Sequence, residues 1–495
     1  MPPSTLVRLF VRLVCLVCAV GMFAARAGLA AQAPGLAARA RVVVLSDIEA
    51  DPDDSQSLIR LLLYANDLDI EGLVATTSTH QRSRVAPETM HRILDAYGKV
   101  HANLLTHDRR YPAPAALHAL VKPGLPLYGM SGVGEGKDSD GSEWVIRVLE
   151  RPDPRPVWIS VWGGATVLAQ ALWKIQRTRP AAEAERLYRK LRVYTISDQD
   201  DAGPWIRRTF PGVFYIVSPG SYLTATWSAI ARPFPGANDD VVSNRWLAEH
   251  IQQGHGPLGA AYPDVAYGME GDTPAFLGLI PNGLNVPEHP DWGGWGGRYE
   301  LYVPPPTPLS PTLATGAEAQ VPVAETRPIW TNSEDAFSPI VPGVVGPAAR
   351  QDTAVYRGNH VTLWRWREDF QHDFAARMDW TVKRYAEANH PPVPALATPD
   401  TFTVRSGEVF RLDASGTTDP DGDSMSYFWF QYPEAGSYRG RVSFAPLSPN
   451  LYNVHTVWAP QVDAPGTIHF ILRVTDKGSP ALTRYKRVVV RVVPR

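Results

Sequence analysis

Between residues 40 and 300 the chain alternates short apolar runs with amphipathic stretches, and this alternation limits its folds more than any other feature. VVVL (Val42–Leu45), IEGLVATT (Ile70–Thr77), PVWISVW (Pro156–Trp162), LRVYTIS (Leu191–Ser197) and GVFYIVS (Gly212–Ser218) read as buried strands. SLIRLLLYA, the stretch around Pro87–Tyr97, GSEWVIRVLE and ATVLAQALWKI carry helical spacing. The expectation is an α/β fold with a doubly wound, mainly parallel sheet. Ligands of such sheets bind outside the C-terminal ends of the strands.

The residues that follow VVVL therefore matter. Asp47, Glu49, Asp51, Asp53 and Asp54 fall within eight positions, just before the helical run. Carboxylates this close raise one another's pKa unless something cationic neutralises them. An oxygen-rich site suits a hard cation, Ca²⁺ above all, which takes six to eight oxygen ligands. An EF-hand fits poorly, because Pro52 stands where the sharp-turn glycine belongs and a strand precedes the cluster. The alternative is a solvated acidic loop in which Asp53 caps the helix.

The N-terminal segment reads as a leader. Met1–Arg12 carries Arg8 and Arg12 and no acid, the apolar run Leu13–Ala25 follows, and A-x-A-like sites lie at Ala25-Arg26-Ala27 and near Ala31. This predicts a signal peptide over 1–31 and a secreted or periplasmic protein. The competing membrane anchor needs ~20 apolar residues, more than the run supplies. Both cysteines, Cys15 and Cys18, lie in this leader, so the mature chain has none and depends on a packed core. The formal charge is −2, and removing the leader takes three arginines and no acid. No basic run favours nucleic acid as a partner, and no later apolar stretch is long enough for a membrane. The chain has 15 Trp and 19 Tyr, several in polar, Gly-rich contexts that suit sugar faces.

An α/β domain is expected over 38–390. It includes a Pro-, Ala- and Thr-rich loop at 303–326 and a helical extension at 360–390, in which Trp364, Phe370, Phe374, Met378 and Val382 share one face. Asn389-His390-Pro391-Pro392 stops that helix. His390 reads as structural, and His372 as helix packing or solvent contact. From 391 to 495, alternating segments such as TFTVRSGEVFRLDAS, MSYFWFQY, TIHFILRVTD and YKRVVVRVV predict an immunoglobulin-like β-sandwich of about seven strands. Trp429 reads as its core tryptophan, with a surface sugar platform as the alternative. In PDWGGWGGRYE, Trp292 and Trp295 stand three apart between glycines, which leaves ring faces open to stack on pyranose rings; packing inside a tight loop is the alternative.

D-x-E-x-D-x-D-D after VVVL resembles the D-x-D-P-G-x-D-D signature of the inosine-uridine nucleoside hydrolases. IEGLVATTSTHQ is similar to their second strand, SVWGGATVLAQAL to their G-P-L-T-N-x-A segment with Gly163 and Thr166 in register, and MEGDTPAFL to the segment carrying their last metal-binding Asp. The resemblance implies that Glu49, Asp54, Asp272 and the Trp162 backbone carbonyl bind Ca²⁺. It makes Glu49 the general base, gives Asp53 and Gln81 contacts to substrate hydroxyls, and has Asp47 orient the loop. Two departures bear on activity. Glu49 is one methylene longer than the Asp of the signature, and Gly271 occupies the position where the family often places a His to protonate the leaving base. Glu270, also assigned to substrate contact, or His80 is the candidate replacement.

EGDTP, WGGWGGRY, RPIWTN, LWRWREDFQHDFAARMDW and ANHPP, in this order, resemble bacterial cellulose-binding proteins with a nucleoside-hydrolase-like N-terminal domain and an immunoglobulin-like C-terminal domain. DASGTTDPDGDSMSYFW resembles the interstrand turn of PKD and cadherin-like sandwiches, where Asp419, Asp421 and Asp423 form either a Ca²⁺ site or a plain Asp-Gly turn. The expected function is Ca²⁺-dependent hydrolysis of a glycosyl bond, with cellulose or another glycan, or a nucleoside-like small molecule, as ligand. A non-catalytic polysaccharide binder and a true ribonucleoside hydrolase are the competing expectations.

Overall fold

The first five strands of the chain run parallel: β1 (Ala40–Ser46), β2 (Leu68–Ala75), β3 (Val121–Pro123), β4 (Val157–Val161) and β5 (Leu191–Thr195). With β6 (Phe214–Val217), β7 (Tyr299–Tyr302) and β8 (Ile329–Asn332) they form one sheet in the order β3-β2-β1-β4-β5-β6-β8-β7. All its pairings are parallel except β7 with β8. This is the doubly wound α/β architecture that the alternation predicts. A computed structural model provides the coordinates, which describe residues 39–220, 222–305, 324–339, 354–448 and 451–495. The leader at 1–31 and most of the Pro-rich loop at 303–326 lie outside the described residues.

The strands are apolar on both faces because both are covered. Val42 and Val44 join one core with the helices Asp53–Leu63 and Pro87–His107, while Val43 and Leu45 join the opposite core with the helices Asp140–Glu150 and Thr166–Thr178. The buried Arg41 at the start of β1 grips the Glu71 carboxylate through two hydrogen bonds, of 2.6 and 2.9 Å. Among the described residues, no helix is long and apolar enough to cross a membrane.

The helical extension is two helices, Val361–Trp364 and Arg367–Asp379. Trp364, Phe370, Phe374 and Met378 are buried in the first core as their spacing predicts. Val382 is 42% exposed, because the helix ends at Asp379 before its face returns inward.

After a short hairpin of β9 (Asp335–Phe337) and β10 (Tyr356–Gly358), seven strands make two further sheets. The strands are β11 (Thr401–Arg405), β12 (Val409–Asp413), β13 (Met425–Gln431), β14 (Ser443–Pro446), β15 (Val454–Trp458), β16 (Gly466–Asp476) and β17 (Thr483–Val493). The order is β11-β17-β16-β13 in one sheet and β12-β15-β14 in the other, and both contribute to a shared core containing Trp429. Asp419 accepts the backbone N–H groups of Asp421 and Asp423, at 2.9 and 3.0 Å, and the Asp421 carboxylate accepts from the His390 N–H at 2.7 Å. These bonds make DPDGD a turn tied to the helical extension.

This β module does not hang on a tether. Tyr432, Ile471 and Tyr485 belong to the same core as β1 and the helix Arg367–Asp379. Asp369 accepts from Arg473, at 3.1 Å, and from Tyr485, and Asp373 pairs with Arg484. Arg487 reaches the carbonyls of Leu284 and Gly293, at 3.0 and 2.8 Å. Gly283, at φ +84°, lies so close to β17 that a Cβ would sit 2.0 Å from the Tyr485 carbonyl oxygen, so only glycine fits.

Candidate cation and sugar site

Strand order reverses between β1 and β4, and the chain leaving each strand lines the resulting crevice. From β1 comes the acidic loop. Ser46 donates to Asp54 at 2.5 Å and accepts the Ile48 N–H at 3.1 Å, so the strand's last side chain holds the loop that follows. Ala50 N–H donates to the Asp47 carbonyl, at 2.9 Å, and Asp53 N–H to the Asp51 carboxylate, at 3.0 Å. Asp53 opens the helix Asp53–Leu63 without capping it by a side-chain bond.

From β4 come Trp162, Gly163 and Gly164. A Cβ on Gly163 would lie 2.5 Å from Asp47 Oδ1, so the glycine is there because the buried Asp47 carboxylate fills the space. Thr166, in register with the nucleoside-hydrolase segment, donates through its N–H and hydroxyl to Asp200, at 3.1 and 2.9 Å. Burial pushes the Asp200 carboxyl up to about 6.

Asp272 enters from far along the chain. It follows Glu270, whose φ of +48° is rare for a residue with a side chain. Glu270 is fully buried and its carboxylate accepts from Arg60, Tyr262 and Thr273, at 3.2, 2.7 and 2.9 Å. Those bonds fix the turn that presents Asp272. A Cβ on Gly271 would lie 2.7 Å from Asp53 Oδ2 and 3.0 Å from the Trp227 ring. The position where the resemblance puts a histidine therefore has no room for one.

The result is a cleft of about 460 Å³ whose floor includes Asp47, Asp51, Asp53, Asp54 and Asp272, and whose walls include Trp162, His80, Tyr222, Trp227 and Tyr267. Carboxylate oxygens of Asp51, Asp53 and Asp54 lie within 4.8 Å of one another. Burial raises the Asp47 carboxyl to about 6. It also raises Asp53, Asp54 and Asp272 well above the usual carboxylate range, with the neighbouring carboxylates adding to the effect. Asp272 Oδ2 is buried and, among the described residues, has no hydrogen-bond partner. Crowded carboxylates with an unpartnered buried oxygen fit a hard divalent cation.

Several predicted site residues sit elsewhere. Glu49 is not brought into the cluster. Its φ of +79° turns its side chain outward, where Thr89, Arg84 and Arg92 hold the carboxylate, the last at 3.1 Å. The Thr89 hydrogen bond, joined by those of the two arginines against a smaller burial effect, lowers its pKa. Asp51 stands with Asp53 and Asp54 instead. Gln81 spends its amide on the carbonyls of Asp47 and Ile48, at 3.2 and 3.1 Å, so it shapes the loop. Glu270 is committed to its buried ion pair.

Trp295 is fully buried, with Phe370 and Tyr485 against its ring, so it offers no face to a sugar. Trp292 stacks on His289 at 4.1 Å and packs edge-on to His469 at the junction with the β module. Neither tryptophan lines the acidic cleft. The Trp162 carbonyl accepts from Gln199 at 2.7 Å while its ring lines the cleft.

Sequence reasoning passed over Asp51 as a site residue, and also Gln199, Tyr222, Trp227 and Tyr267. Gln199 Oε1 and Trp227 Nε1 are buried without partners among the described residues. The signal that could have found Tyr222 and Trp227 is their position just beyond the C-terminal end of β6.

Comparison with known proteins agrees with this fold. The family described as cellulose-binding Sde182, nucleoside hydrolase-like domain, matches residues 41–299. The family described as cellulose-binding protein Sde0182, C-terminal domain, matches residues 409–492. A solved nucleoside hydrolase-related hypothetical protein from Saccharophagus degradans, associated with carbohydrate metabolism, is 36% identical. The match covers 92% of this chain and 100% of that one, with a TM-score of 0.76. The effector protein XOO4466 (12% identity, 59% of this chain, 87% of that chain) and the type III effector XopQ complexed with adenosine diphosphate ribose (15%, 59%, 88%) give TM-scores of only 0.32 and 0.29. No match was found among curated proteins. With over half the chain matched by the first of these families and a 36% identical relative aligned along nearly its whole length, the chain belongs to the Sde182 family with its nucleoside hydrolase-like domain.

Proposed function

We propose that this chain is a secreted or periplasmic carbohydrate-associated protein whose α/β domain hydrolyses a glycosyl bond at a Ca²⁺ site. The observation that carries the reading is the set of buried carboxylates facing one cleft, with Asp272 Oδ2 unpartnered beside Asp53 and Asp54. Asp51, Asp54 and Asp272 would hold the cation, joined by the Trp162 carbonyl. A divalent ion of this class neutralises the carboxylates and lowers the pKa of a bound water. Asp53 accepts hydrogen bonds from sugar hydroxyls. Asp51 takes over as general base, because Glu49 is held by Arg84 and Arg92. His80, in the cleft wall and 3.0 Å from the Tyr222 hydroxyl, would serve as proton donor to a leaving group. The aromatic wall of Tyr222, Trp227 and Tyr267 covers the apolar face of the sugar or its aglycone.

The relatives' description as cellulose-binding proteins, and the association of the Saccharophagus degradans protein with carbohydrate metabolism, support a glycan or glycan-derived substrate. The expected result is sugar release from oligosaccharides or glycosides that stops with EDTA, returns with Ca²⁺ and is lost in Asp54→Asn. Turnover indifferent to chelation would contradict the reading. A non-catalytic polysaccharide binder is the second reading, favoured by the diversion of Glu49 and by the lack of space for a side chain at Gly271. It predicts retention on cellulose with no sugar released from any substrate tested.

A further inference from the structure

A second cleft, of about 360 Å³, opens between the helical extension and the β module, away from the acidic site. Its volume is within the ~300–1,000 Å³ of small-molecule sites. One wall comes from β13, an edge strand of its sheet. Because Trp429 points into the sandwich core, Phe428 and Phe430 point the opposite way, toward the α/β domain. Their rings lie side by side, with centroids 5.7 Å apart and planes 28° from parallel, and both remain partly exposed. Phe337 and Trp366 continue the apolar lining, with the Arg365 guanidinium 4.6 Å from the Phe337 ring centre. Trp366 Nε1 is buried with no partner among the described residues.

The rim is polar and largely uncommitted. Glu368 is exposed, and no hydrogen bond or ion pair engages its carboxylate among the described residues. Asn238, also exposed, uses its side-chain oxygen on the Asp240 N–H at 3.2 Å, and among the described residues its amide donors have no partner. Arg473 pairs with Asp369 yet keeps a quarter of its side chain in solvent. Adjoining flat rings, edged by a carboxylate, an amide and a guanidinium, match a pyranose chain. Its C–H faces are apolar, and its equatorial hydroxyls both donate and accept.

We propose that this junction cleft binds the pyranose units of a β-glucan and is the chain's carbohydrate-recognition site, a placement that rests on the carbohydrate-associated reading above. Both walls are locked together by the Asp369–Arg473 pair and the shared core, so the cleft is formed before ligand arrives. The glycan is thus held on the same compact unit as the acidic site.

The test is calorimetric titration of the full chain with cellohexaose, alongside retention on insoluble cellulose. Phe428→Ala, Asn238→Ala and Glu368→Gln should each weaken cellohexaose binding, by about tenfold for the aromatic change. Trp458→Ala, on the outer face of the other sheet and 45% exposed, should leave it unchanged. Asn238 and Glu368 are exposed, so their variants keep the test sound if Phe428→Ala folds poorly. Wild-type affinity in all three cleft variants, or loss in Trp458→Ala or Asp272→Asn alone, would place the glycan elsewhere and leave the broader reading standing. A wild-type chain that binds neither cellohexaose nor cellulose would overturn the proposal, while chelator-sensitive sugar release tests the broader reading separately.

Discussion

Glu49 and Asp51 are two positions apart, yet only Asp51 joins the acidic cluster, because a left-handed backbone at Glu49 turns its side chain toward Arg84 and Arg92. Spacing in a sequence says which carboxylates are close along the chain. It does not say which way a residue with positive φ points, and that is why Glu49 could be aligned with a signature position and still sit outside the cleft. Asp47, Asp53, Asp54 and Asp272 could be picked out in advance, since the first three follow directly from the end of a buried strand. Gly163 allows a sharp test of the local packing. Its missing Cβ is where Asp47 Oδ1 sits, so Gly163→Ala should destabilise the protein by about 1–3 kcal/mol in urea unfolding. Unchanged stability would mean that Asp47 can move aside.

The helix Arg367–Asp379 shows how an element can be foreseen while its partners are not. Its apolar face was readable from the spacing of Phe370, Phe374 and Met378. On its polar face Asp369 and Asp373, which the spacing did not single out, are buried against Arg473 and Arg484 of the β module. Periodicity separates two faces and cannot name what covers the polar one. Burial pushes the Asp373 pKa up, but the Arg484 and Arg377 charges outweigh it and the net shift is downward. A carboxyl lowered on folding stabilises the protein above its unfolded pKa of about 3.9, and that contribution is lost as pH falls through the lower folded value. Asp373→Ala should therefore cost about 3–5 kcal/mol near neutral pH. The gap to wild type should narrow below about pH 4, as measured by urea unfolding across pH. A gap that widens in acid would contradict the assignment.

Across the whole molecule, an α/β sheet and a seven-stranded β module share one continuous core at their junction, through Tyr432, Ile471 and Tyr485. The two architectures were evident from the change in apolar period. Their fusion was not, because alternation reveals a strand's inner and outer faces but not that the outer one is also buried. Such coupling predicts a single calorimetric unfolding transition, and two separated transitions would show the junction to be weaker than its contacts imply. The acidic cleft and the aromatic cleft belong to one compact unit. The central claim is that Asp54 and Asp272, distant in sequence, grip one cation. Thermal unfolding in EDTA and in Ca²⁺ tests it directly, without any substrate. Wild type and Glu49→Gln should gain stability with Ca²⁺, approaching ~2.7 kcal/mol at a hundredfold excess over Kd. Asp272→Asn should gain none while being more stable than wild type in EDTA, since it removes one of the crowded carboxylates. A Ca²⁺ response retained in Asp272→Asn, or absent from wild type, would contradict the account.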